Sequence, residues 1–399
     1  MKKGLILFTA STLSPLVLAS TLVYEAKQAD GNPRLKLSVD TSEIETFEVM
    51  KPRNLTEAEP PKFVCYNGEQ VVEGAYNQSL TCDTLSWELP FLQTDPLGFN
   101  IAEQTNQYSA EKGWFFFSEW SSLPRVQTDQ GITESKLCVP GVLENCYDLP
   151  TLDQAPLLLM WGIDSIVISE QNYRFELRSD VSAVIDNQAQ WLPTFKQQLN
   201  YLSQVFSAPQ EINWQMNVFG REMETGNVSG AAGYSSINVN VPLKDGALVD
   251  ASYPHLLKIL AHEAIHGLDT RAHPLWITEG LAEYYAQKSL KQTPFALPDA
   301  KIQWQAIAQR LPFAATGLLQ ANRDLVELNQ QHYQMLFYTK AVAFWQQLDE
   351  ELSAAGQSLD TYMTQPLAGE DYQLSTEFTQ AVISAIGAEK WAQLTEVYL

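Results

Sequence analysis

One stretch constrains this chain more than any other: Ala261-His262-Glu263-Ala264-Ile265-His266-Gly267. Leu256, Leu257, Leu260, Ala264 and Leu268 recur at helical spacing, so Pro254 to His266 is predicted to form a helix with one face in the core. Pro254 suits a first turn, Ser252 can cap it, and Gly267 offers a stop. His262 and His266 stand four apart, which stacks both imidazoles on one face, close enough to share a metal ion. Glu263 lies one step round the helix, where a carboxylate reaches water at such a metal without ligating it.

Two imidazoles leave a catalytic zinc site incomplete, since such an ion takes three protein ligands and keeps one open position. Trp276-Ile277-Thr278-Glu279-Gly280-Leu281-Ala282-Glu283-Tyr284 follows His273-Pro274 and again reads as helix, with Glu279 and Glu283 on one face. Glu279 is the natural third ligand. Glu283, one turn on, can accept the free N–H of a ligating histidine and fix its orientation. A third histidine six residues after the second is absent: Ala272 occupies that position, and His273 comes one residue late.

His262-Glu263-x-x-His266 followed by Trp-x-x-Glu279-Gly-x-Ala-Glu-Tyr resembles the gluzincin metallopeptidases, the group of thermolysin and aminopeptidase N. The resemblance covers about residues 190 to 350. It implies Zn2+, with His262, His266 and Glu279 as ligands and Glu263 as catalytic base. The spacer from His266 to Glu279 is shorter than in those two enzymes, which leaves Glu283 and His273 as alternative ligands. Tyr338-Thr339-Lys340-Ala341 resembles the Tyr-x-Lys-Gly segment of the aminopeptidase N group, with Ala341 in place of the glycine. It implies that the Tyr338 hydroxyl stabilises an oxyanion. In gluzincins the strand before the metal helix is an edge that pairs with extended substrate. Ile237 to Val241 resembles that strand, and Gly230 to Gly233 would let a substrate backbone approach.

Met1-Lys2-Lys3 and the apolar run from Leu5 to Ala19 read as a secretory signal peptide over residues 1–20, with an uncleaved anchor as the competing reading. The run is too short and too interrupted for a stable membrane span. Cys65 with Cys82 and Cys138 with Cys146 form two close pairs, which in an exported chain suggests two disulfides. The 47 acidic against 25 basic residues give a formal charge of −22, which disfavours nucleic acid and anionic lipid as partners.

Residues 21–60 are polar and proline-punctuated, as in a linker or loosely ordered lead-in. Residues 61–185 carry short apolar runs and period-two alternation between turn residues, as in a β-rich N-terminal domain. Its aromatic run, Trp114 to Trp120, reads as core packing before ligand platform. Residues 186–399 make the catalytic domain: a helix from Trp191 to Phe206, alternating strands at Ile212–Val218 and Ile237–Val241, then the motif helices. From about 291 the chain reads as helical, with candidates at Lys301–Leu311, Leu325–Leu348 and Ser375–Val397.

The expected fold class is α+β, with the β-rich domain followed by a thermolysin-like mixed α/β catalytic domain and a helical C-terminal part. The expected function is an exported zinc metallopeptidase, secreted or periplasmic, acting on a peptide or protein substrate. A zinc hydrolase of a non-peptide substrate and a catalytically silent peptide-binding protein are the alternatives. The resemblance to aminopeptidase N-like enzymes implies an amine-holding acidic residue in a Gly-x-Met-Glu-Asn segment; the corresponding Ser229 to Tyr234 contains no carboxylate, which favours internal cleavage unless Glu222 or Glu224 folds back.

Overall fold

The computed structural model describes residues 21–28, 33–54, 59–129, 131–132, 134–139, 146–170, 173–206, 212–223, 228–249 and 252–399. The segment read as a signal peptide and Glu224 lie outside them. The chain divides into two units, Met1–Pro90 with Ser122–Thr151, and Phe91–Ser121 with Leu152–Leu399.

Residues 21–60 are therefore not a linker. Leu22–Gln28, Arg34–Asp40 and Phe47–Met50 are strands of the first unit. Leu22, Tyr24 and Ala26, then Leu35, Leu37 and Val39, are buried in alternation. That period of two outweighs the polar composition. The β-rich stretch is also not one contiguous domain, because Phe91–Ser121 belongs to the second unit. The first unit centres on a seven-stranded sheet in which Leu22–Gln28 pairs antiparallel with Arg34–Asp40 and parallel with the distant Ser135–Cys138. Cys65 is bonded to Cys82 and Cys138 to Cys146. The second pair faces across an antiparallel ladder, where the backbone already brings the two residues opposite.

The second unit carries a sheet built from β1 (Ile166–Ser169), β2 (Tyr173–Ser179), β3 (Ile212–Glu222), β4 (Ser229–Gly233) and β5 (Ser236–Lys244). Their spatial order is β1-β2-β3-β5-β4, with Ala247–Leu248 also pairing to β5. β2, β3 and β5 run parallel, and β4 returns antiparallel to β5. The first parallel connection passes through helix α1 (Gln188–Val205), as a parallel crossover requires. Helices α2 (Tyr253–Leu268) and α3 (Leu275–Leu290) join it in one apolar core, which includes Phe195, Leu199, Val218, Leu257, Leu260, Ile277 and Leu281. Against Phe219 of β3 and Ala231 of β4, Phe99, Trp114, Phe116, Leu158 and Met160 form a second cluster. The aromatic run at Trp114 is thus core.

Helix α4 (Lys340–Ala354) begins only after a break. Leu325–Leu348 is not one helix, because Asn329 adopts φ 55° and ends the helix Leu318–Leu328. Gly387, at φ 90°, likewise splits Ser375–Val397 into Thr376–Ile386 and Ala388–Tyr398. A polar network ties α3 to α4. Lys288 Nζ lies 2.7 Å from Asp349 and 2.6 Å from Asp360, and Asp349 also accepts from the Tyr284 hydroxyl at 2.5 Å and the Leu359 amide at 2.9 Å. Removing one partner of a buried ion pair costs roughly 3–5 kcal/mol. Asp360 remains beside Lys288, so Asp349→Ala is expected to cost about 2 kcal/mol, read as a lowered urea midpoint.

Candidate metal centre

Pro254 occupies the first turn of α2, where its missing N–H costs nothing. Ser252 does not cap the helix: it is helical itself and its hydroxyl is buried without a partner. Gly267 is not the stop either, because α2 continues to Leu268. Its missing Cβ clears the Trp214 ring, which a methyl group would meet at 2.5 Å.

The two helices bring three donor atoms together. His262 Nε2 and His266 Nε2 are 3.1 Å apart, and Glu279 Oε2 lies 3.3 Å from the first and 3.6 Å from the second. A four-coordinate ion with bonds of about 2.0–2.1 Å sets neighbouring donors about 3.3 Å apart, and this triangle fits it. Glu279 Oε2 is buried without a well-formed hydrogen bond of its own, as suits an atom whose partner is a cation. Burial works against the Glu279 charge, but the two imidazoles hold its carboxyl far below the ordinary value. His262 shows the reciprocal effect: burial opposes its charge, yet Glu279 and Glu283 raise it to about 10. The pocket thus attracts positive charge.

Glu283 stands where an orienting group is expected, with Oε2 3.2 Å from His262 Nδ1. Burial would raise its carboxyl, but His262 and Lys258 hold it down at about 2. His273 does not join the triangle. Its Nε2 sits 3.3 Å from Asp269, which Arg271 also grips, and together they hold the Asp269 carboxyl at about 2 against its burial. Between the alternatives of the sequence, the geometry gathers Glu279 and leaves Glu283 and His273 outside.

Glu263 is buried, and burial raises its carboxyl despite the pull of both histidines and the Ala232 amide. Gly230 makes room for it, since a Cβ there would meet Glu263 Oε1 at 2.6 Å. Tyr338 lies at the break between Gln334–Phe337 and α4. Its ring stacks on His262 at 5.8 Å between centroids. Burial and the Glu279 carboxylate push its hydroxyl well above the ordinary value, so it stays a donor.

The edge strand differs from the expectation. Ile237–Val241 lies inside the sheet, paired on both sides by β3 and β4. The edge is β4. The Tyr234 N–H donates outward to Pro156 O at 2.7 Å. Backbone direction alternates along a strand, so Gly230 and Ala232 also point outward. A Cβ at Gly233 would meet Pro156 O at 3.0 Å and Leu158 at 3.1 Å. The 156–158 segment therefore closes one end of this edge. Glu222 does not fold back towards the triangle; its carboxylate accepts from the Gly246 amide at 2.5 Å. Sequence reasoning passed over Lys258, although it stands one helical turn before His262 and bonds to Glu283.

No family model matches the chain, and no curated protein matches it in sequence. Among solved structures, a crystal structure of an aminopeptidase N family protein from Idiomarina loihiensis is similar, with a TM-score of 0.57 and 13% identity. The match covers 86% of this chain and 69% of that one. At that identity the likeness establishes the fold, in agreement with the α+β class expected from the sequence.

Proposed function

We propose that this chain is a zinc-dependent peptidase whose site is built on α2 and α3. The observation that carries the reading is the triangle of His262 Nε2, His266 Nε2 and Glu279 Oε2 beside the buried Glu263. Two imidazoles and a carboxylate are the donor set of a catalytic zinc, which, when bound, supplies Lewis-acid polarisation and activates water. Glu263 would take a proton from water held beside it and pass it to the leaving amine, a task for which a carboxyl raised by burial is suited. The Tyr338 hydroxyl donates a hydrogen bond to the developing oxyanion. Gly230 and the Ala232 carbonyl offer outward backbone groups to an extended substrate, while the Ala232 amide holds Glu263.

The closed end of β4 bears on which bond is cut. Glu263 lies against Gly230, and the open edge ends three to four residues further on, where Gly233 and Tyr234 meet Pro156. A strand advances about 3.4 Å per residue, so a substrate chain has room for about three residues past the reacting bond on that side. We therefore place the cut near a chain end, in preference to the internal cleavage suggested by the missing carboxylate. Digestion of a peptide library and a denatured protein, with and without chelator, tests both points. Chelator-sensitive release of pieces of one to three residues is expected. Internal fragments as the first products would reject the chain-end reading, and no hydrolysis of any peptide would reject the peptidase.

Two disulfides in the first unit support export to an oxidising compartment, secreted or periplasmic. Among the described residues no helix is long and apolar enough to cross a membrane. The charge of −22 supports a peptide or protein partner over nucleic acid.

A further inference from the structure

We propose that Lys258 is a positioning residue for the metal centre, holding Glu283 so that its carboxylate fixes the His262 ring. Lys258 Nζ lies 2.5 Å from Glu283 Oε1, with the two side chains only 19% and 5% exposed. Gln287 Nε2 donates to the same oxygen at 3.2 Å. The other oxygen, Oε2, faces His262 Nδ1 at 3.2 Å. Two donors on Oε1 lock the carboxylate plane, which a single imidazole contact would leave free to turn. With Oε2 so placed, a metal-bound His262 would keep its proton on Nδ1 and present Nε2 to the ion on the side of His266 and Glu279.

Charge points the same way. Glu263, Glu279 and Glu283 crowd three carboxylates into one site. Among the described residues, Lys258 is the one Lys or Arg that forms an ion pair with any of them. A divalent ion and Lys258 together balance the three. Removing Lys258 leaves Glu283 buried with its main anchor gone, and such a carboxylate turns towards water or another donor. Lys258 touches no reacting atom. Its influence passes through Glu283 alone.

This inference rests on the metal reading above, and its test separates the two. Zinc affinity is measured by chelator competition on folded protein, checked by circular dichroism, for the parent chain, Lys258→Met, Lys258→Arg, Glu283→Gln and Lys258→Met with Glu283→Gln. Changes to groups that orient a ligating histidine typically weaken metal binding about 10–100-fold. Lys258→Met is expected to weaken zinc binding about tenfold. Lys258→Arg should restore most of it, and the double variant should bind no more weakly than Glu283→Gln. Unchanged affinity in Lys258→Met, or an equal loss in the Glu283→Gln background, would overturn the proposal; a change in melting temperature alone would mark Lys258 as helix packing. If the methionine variant does not fold, Lys258→Gln makes the same comparison. A parent chain that takes up no zinc would instead bring down the metal reading itself.

Discussion

Glu263→Gln is expected to lose nearly all hydrolysis, about 10²–10⁴-fold in kcat, while zinc content and fold remain those of the parent chain. The amide has the shape of the acid but cannot take a proton from water. Its neighbours do not depend on its charge for packing: Gly230 leaves room for a side chain of this size, and Ile259 lines the same gap. The metal triangle does not include Glu263. Kinetics on any peptide found by the digest, with metal analysis of the same preparation, check the result. Retained activity in Glu263→Gln would remove the base from the mechanism.

Glu279→Ala should act on the other half of the site. It removes one of three donors, so zinc retention should fall well beyond the about 10–100-fold typical of groups that only orient a ligand. Glu283→Ala should fall within that range, because its carboxylate touches His262 Nδ1 and not the triangle. The order of the two effects is the informative part. Both glutamates lie on one face of α3, one turn apart, and the short spacer after His266 allows either to be the ligand. Normal zinc binding in Glu279→Ala together with loss in Glu283→Ala would shift the ligand by one helical turn.

The centre of this site was legible in the sequence because its information is local. His262 and His266 share a helix face by spacing alone, and Glu279 sits on a second helix whose start His273-Pro274 announces. What separates Glu279 from Glu283 is the packing of α3 on α2, which no spacing encodes. The same limit explains the edge strand. Alternation marks Ile237–Val241 as a strand but says nothing about its neighbours, and β4 folds back to cover it. The unit division was hidden for a similar reason. Leu22–Gln28 finds its parallel partner at Ser135–Cys138, more than a hundred residues away, and Phe91–Ser121 leaves the first unit between the two. Residues 21–60 differ for another cause: their composition is polar, but the alternation at Leu22–Ala26 and Leu35–Val39, itself local, makes strands. Gly267 was read as a stop when its role is clearance for Trp214.

The central claim is that His262, His266 and Glu279 bind one zinc ion, and anomalous diffraction at the zinc edge tests it most directly. Crystals of the zinc-loaded protein should give one peak per chain, within about 2.0–2.1 Å of His262 Nε2, His266 Nε2 and a Glu279 oxygen. No peak after soaking with zinc, or a peak held by other residues, would contradict the account.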